Sequence, residues 1–114
     1  MLLSPRFNDR MLLKGGEIME FIDYPERFDD LSEDRKQFLL NWIDKNLTSI
    51  KSFNIKQTSY RLKQLIQGDY FTNGEFKGAM IKSGYKVKDP NALNWVFNVS
   101  EKSPIILETK SKSK

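Results

Sequence analysis

None of the 114 residues is cysteine or histidine, so no disulfide, thiolate site or imidazole-held zinc can brace the chain. Whatever fold it adopts has to come from an apolar core. Hydrophobic residues at 39% and charged residues at 30% suit one globular domain with a modest core. The same two absences remove histidine-dependent triads, zinc hydrolases and thiol redox motifs. No catalytic group, metal-ligand set or cofactor site is expected. Asp69, Glu75 and Asp89 are isolated acids that suit turns and caps, and no glycine-rich phosphate loop follows a strand. Asp29, Asp30, Glu33 and Asp34 read as a solvated helix start in preference to a divalent-ion site. No apolar run is long enough to span a bilayer, so a cytoplasmic protein without membrane contact is expected.

Local signals then set an order of elements. Ser32 is a good N-cap, and Phe38, Leu39, Trp42, Ile43 and Leu47 recur at helical spacing, which predicts a helix over 32–47. Ser52–Lys56 alternates as a brief strand. Thr58 can cap a second helix with Leu62, Leu65 and Ile66 on one face and Gly68 at its end. Thr72 and Glu75 form a T-x-x-E capping box that opens a third helix. Its inner face holds Phe76, Ala79, Met80 and Ser83, which turns Gly74, Lys77, Gly78 and Ile81 outward. Tyr85 and Val87, then Leu93, Trp95, Phe97 and Val99, alternate as the arms of a hairpin around Asp89–Asn91. Trp42 and Trp95 belong to the core.

This order predicts an α+β fold, a winged helix-turn-helix of three helices with a short strand and a β-hairpin wing. Residues 1–18 read as leader, because Lys14–Glu17 can be encoded by a ribosome-binding sequence just ahead of Met19. Residues 19–31 form an acidic N-terminal segment, 32–103 the winged helix-turn-helix domain, and 104–114 a flexible basic tail.

Charge divides the chain. Residues 1–48 carry 7 basic and 10 acidic side chains, net −3, and residues 49–114 carry 12 and 5, net +7. A single-sign field of this kind steers anionic partners. The expected nucleic-acid contacts are Lys56, Tyr60, Arg61, Lys63, Asn73, Lys77, Lys82, Tyr85, Lys86 and Lys88. Tyr60, Tyr70, Phe71 and Tyr85 interleave with these lysines, an arrangement that single-strand binding uses, although for any one ring taken alone core packing is the better account. The third helix carries no arginine, the strongest base reader, which disfavours a sequence-specific repressor. Gly74 and Gly78 weaken an exposed helical face by roughly 1 kcal/mol each. Either a nucleic-acid backbone or partner helix approaches there, with Ile81 beside it, or the glycines allow close packing on the second helix. The acidic segment 19–31 can pack on the domain, dock on a partner, or cover the basic surface when nucleic acid is absent.

On Thr58–Lys63, Tyr70–Met80 and Leu93–Ser100 the chain resembles small winged-helix proteins encoded by mobile elements and phages of staphylococci and related low-GC Gram-positive bacteria. Members of that group accompany an A-family DNA polymerase of staphylococcal cassette chromosomes. The resemblance covers about half the chain, roughly Ser52 to Ser100. It implies a non-enzymatic accessory that binds single-stranded DNA, assists annealing or strand exchange in replication and recombination, and has a DNA polymerase as partner. Two further readings stand beside it. One is an adaptor or inhibitor whose partner sits on Gly74, Gly78 and Ile81; the other is a small double-strand DNA-binding transcriptional regulator.

Overall fold

The structure is a computed structural model that describes residues 11–12 and 18–112, with side chains from Glu20 to Lys112. Most of the expected leader, residues 1–10 and 13–17, lies outside the described residues. The two-residue strands β1 (Met11–Leu12) and β2 (Ile18–Met19) pair antiparallel, and two 3-10 turns follow at Phe21–Asp23 and Pro25–Asp30.

Among the described residues, four α-helices carry the domain. In α1 (Glu33–Asn46), the Ser32 hydroxyl accepts the first-turn Arg35 N–H, and Leu39 and Ile43 are buried. The second helix, α2 (Ser59–Lys63), is capped by Thr58 but is short. The chain leaves it through turns to Gly68, whose φ of 97° suits glycine. The capping box of α3 (Asn73–Lys82) closes as the spacing predicts: Glu75 N–H donates to Thr72 Oγ1 at 3.2 Å and Thr72 N–H to Glu75 Oε1 at 2.8 Å. Phe76, Ala79 and Met80 join Leu39, Ile43, Leu62 and Phe97 in one core. Trp95 lies within it, while Trp42 is half-buried against it.

The expected winged helix is not what forms. Helix dominates, and no hairpin wing is present among the described residues. Residues 95–99 run extended, with Trp95, Phe97 and Val99 buried as their alternation predicts. Their neighbours make isolated bridges alone: Val87 with Phe97, Thr58 with Val96, and Ser49 with Val99. Asparagine side chains explain the broken ladder. Asn98 accepts the Lys86 N–H and donates to Ile50 O, and Asn54 donates to Val99 O, so amide groups take bonds that strands would have shared. Asn54 also accepts the Lys56 N–H, folding the expected strand Ser52–Lys56 into turns. The would-be wing is a core segment.

Residues 104–112 also differ from the flexible tail that composition predicts for 104–114, whose last two residues lie outside the described residues. Pro104–Lys112 form α4, with Ile106 buried. Ser103 ties its start to the domain, its Oγ accepting from Thr48 N–H at 2.8 Å and donating to Ser100 O at 2.7 Å. Glu101 gathers Lys110 Nζ and Asn54 Nδ2 at 2.7 Å and Gln57 Nε2 at 2.9 Å. The bond from Lys110, with those from the two amides, holds the Glu101 carboxyl down at about 2.

Candidate nucleic-acid interface

The expected recognition face of α3 is buried. The 3-10 segment from Phe21 to Asp30 lies across it, so Asn73, Gly74, Lys77 and Gly78 join Phe76 and Met80 as buried residues. The two glycines are what permits this. A Cβ on Gly74 would stand 2.2 Å from Tyr24 O, and one on Gly78 would stand 2.3 Å from Pro25 O and 2.4 Å from the Phe28 Cβ. The close approach inferred from these glycines is therefore real, but the backbone that approaches is the chain's own acidic segment. Neither α2 nor a foreign helix fills that place. Of the proposed partner surface, Gly74 and Gly78 are covered and Ile81 alone is exposed.

Two of the expected nucleic-acid contacts lie under the same cover. The Asn73 side chain accepts from Ser59 Oγ at 2.7 Å and donates towards Leu93 O and Asn94 Oδ1, both at 3.1 Å, and Asp23 Oδ1 at 3.3 Å. Lys77 is 0% exposed. Its ammonium has no hydrogen-bond partner among the described residues and sits 4.8 Å from the Trp95 ring centroid. Burial pushes Lys77 from 10.5 down to about 8, against the opposing pull of Asp23.

A stability signature follows. The unfolded chain holds the Lys77 proton up to its ordinary value and the folded chain releases it sooner. Folding is thus penalised below pH 8, on the order of 3 kcal/mol, and the penalty lifts as pH rises. Burial raises the Tyr85 hydroxyl, which removes stability above pH 10 and closes the window. Urea unfolding of the protein should show stability climbing between about pH 8 and 10. Lys77→Met should abolish the climb and gain about 2 kcal/mol at pH 7. A wild-type profile flat across that range would contradict the buried charge.

The exposed members cluster elsewhere, around α2. Tyr60 is 47% and Tyr70 68% exposed, and Lys63 Nζ stands 4.8 Å from each ring centroid. With Gln64, Ile66, Asp69 and Phe71 they line an open cavity of about 530 Å³. Arg35 of α1 braces the turn that lines it. Its guanidinium donates to both Asp69 carboxylate oxygens, at 3.0 and 3.2 Å, and to Tyr70 O. It also lies over the Phe71 ring at 4.5 Å, while Phe38 stacks on that ring's flank at 6.0 Å. The hydrogen bond from Arg35 holds Asp69 below the usual carboxylate range, and the same bond raises Arg35. So the turn that presents Tyr70 is clamped from α1. Burial lowers Lys63, and Asp23 pulls it back up.

The remaining candidates scatter. Arg61 and Lys56 are exposed on α2 and just before it, Lys82 ends α3, and Lys86 and Lys88 are exposed beside the 95–99 segment. Tyr85 is half-buried and lines a different cavity, with Ile43, Asp44 and Leu47, so it does not pair with Tyr60. Tyr70 takes that place instead. Its interleaving with lysines is the one sequence signal for it, and nothing in the sequence marks Arg35 as its support. Among the described residues no group of acids is placed to hold a metal, Asp29, Asp30, Glu33 and Asp34 included, and no described helix is long and apolar enough to cross a membrane. No protein-family model matches the chain, and no curated protein or solved structure matches it.

Proposed function

We propose that the protein binds single-stranded DNA on the Tyr60–Lys63–Tyr70 surface. The observation that carries this reading is the pair of exposed rings held on either side of one ammonium. An aromatic face accepts any base that is already unstacked, and each such stack is worth roughly 1–3 kcal/mol. The lysine between the rings meets the phosphate that links two stacked bases, with Arg61 and Lys56 tracking the neighbouring backbone. The cover on α3 speaks against the double-strand regulator, because most of the face expected to enter a major groove is buried. On this reading the protein acts in the cytoplasm as a non-enzymatic accessory of replication or recombination. It holds a strand open for annealing or exchange, with the DNA polymerase partner that the resemblance implies.

Single- and double-stranded oligonucleotides titrated across a salt series test this. Binding should favour the single strand. Log affinity against log salt should fall with a slope on the order of −2, for about three neutralised phosphates. Equal failure on both strands at low salt would remove the reading.

A further inference from the structure

The acidic segment is held to α3 unequally along its length. From Pro25 onward it is anchored in the core by two side chains: Phe28 is 3% exposed and Leu31 is buried. Before Pro25 the turn Phe21–Asp23 buries no side chain, with Ile22 52% exposed. Phe21 is packed within the segment itself, edge-on to Tyr24 at 6.4 Å and under the Arg27 guanidinium at 4.4 Å. The turn is thus a small self-contained unit on a firm base. Its contacts with α3 include the Tyr24 and Ile22 backbone over Gly74 and the Asp23 carboxylate on Asn73.

That carboxylate lies among groups suited to an anion from outside. Asn73 Nδ2 reaches it at 3.3 Å, a long bond shared with Leu93 and Asn94. Lys77 lies one helical turn beyond Asn73, fully buried and without a hydrogen-bond partner among the described residues. Lys63, at the centre of the tyrosine surface, feels the same charge. A buried ammonium left without a hydrogen bond is costly, and a ligand oxygen that supplied one would relieve it.

We propose that Asp23, bonded to Asn73 one helical turn from Lys77, occupies the place of a strand phosphate, so that the turn of residues 20–24 and single-stranded DNA compete for this site. The inference rests on the single-strand reading above and adds its regulation. The acidic turn moderates affinity, and a strand that displaces it continues from the tyrosine surface onto α3. The phosphodiester restores the negative charge that leaves with Asp23, and its oxygens supply the hydrogen bond that Lys77 lacks among the described residues. Pro25 marks where the exchangeable turn ends and the part anchored by Phe28 begins.

The test uses the full chain and an oligothymidylate of about 15 nucleotides, read by fluorescence anisotropy. Asp23→Asn keeps the side chain's size and removes the competing charge, and it should tighten binding about fivefold to tenfold. In a Lys77→Met background the same change should yield less than about twofold, because the site it opens has lost its buried cation and Lys63 already serves the tyrosine surface. Gly74→Ala offers a route that alters no charge: its methyl pushes against the Tyr24 and Ile22 carbonyls and should tighten binding in the same direction. Unchanged affinity in Asp23→Asn and Gly74→Ala, with Tyr60→Ala still weakening the complex, would overturn the competition and leave the single-strand reading standing. An Asp23→Asn gain of equal size in both Lys77 backgrounds would also overturn it, as a general charge effect. No binding by the wild type or any variant would remove both.

Discussion

Gly78→Ala should lower the melting temperature by roughly 10–15 °C, equivalent to about 3 kcal/mol in a domain of this size. Helix propensity points the other way, since alanine in a helix interior is favoured over glycine by about 1 kcal/mol. Packing decides the sign. The new methyl would meet the Pro25 carbonyl at 2.3 Å and the Phe28 Cβ at 2.4 Å, and neither is the free end of a flexible side chain. Relief requires the Pro25–Asp30 turn to move away from α3. That motion draws Phe28 out of the core, and burial of such a ring contributes about 1.5–3 kcal/mol. Gly84 is the comparison. Its φ is 91° with open space where a Cβ would stand, so Gly84→Ala carries backbone strain of about 1 kcal/mol and no clash. Thermal melts of the two variants should separate clearly, Gly78→Ala being the far less stable. A Gly78→Ala protein melting at or above the wild type would mean that the acidic segment is not seated on α3.

The same contrast explains what was legible in the sequence. The Ser32 cap with its apolar spacing and the Thr72–Glu75 box are local signals, and α1 and α3 form within a residue of where those signals place them. Helical spacing identifies the side of α3 that faces α1 and the 95–99 segment. It does not reveal that a second surface covers the opposite side, because that cover consists of 3-10 turns whose period is too short to leave an amphipathic pattern. Gly74 and Gly78 did signal a close approach, while the approaching chain lay about fifty residues upstream. Leu93–Val99 was legible as an alternating buried segment, but alternation does not name the hydrogen-bond partner. Asn54 and Asn98 fill that role with their side chains, and the expected wing is lost. Residues 104–112 are too polar to fold alone; the Ile106 contact and the Lys110–Glu101 pair order them, and neither is a local property. At the tyrosine surface, Tyr60 was legible from its place among basic residues. The exposure of Tyr70 depends on Arg35, whose bond to Asp69 spans thirty-four positions.

The double variant Tyr60→Ala/Tyr70→Ala carries the largest expected effect on binding. Each ring gives roughly 1–3 kcal/mol to a stacked base, so removing both should weaken single-strand affinity by about 100-fold or more. Tyr60→Phe/Tyr70→Phe keeps the faces and loses the hydroxyls, and it should bind within about threefold of the wild type. Both rings are largely exposed and neither belongs to the core, so the fold should survive either change. Far-ultraviolet circular dichroism and tryptophan emission check that point. Lys63 would retain its charge in every variant, which separates stacking from simple attraction between opposite charges. The deciding measurement is an anisotropy titration of labelled oligothymidylate with the wild type, the alanine pair and the phenylalanine pair at one salt concentration. Stacking on this surface predicts that the alanine pair alone loses binding. Equal affinity for all three proteins would contradict it.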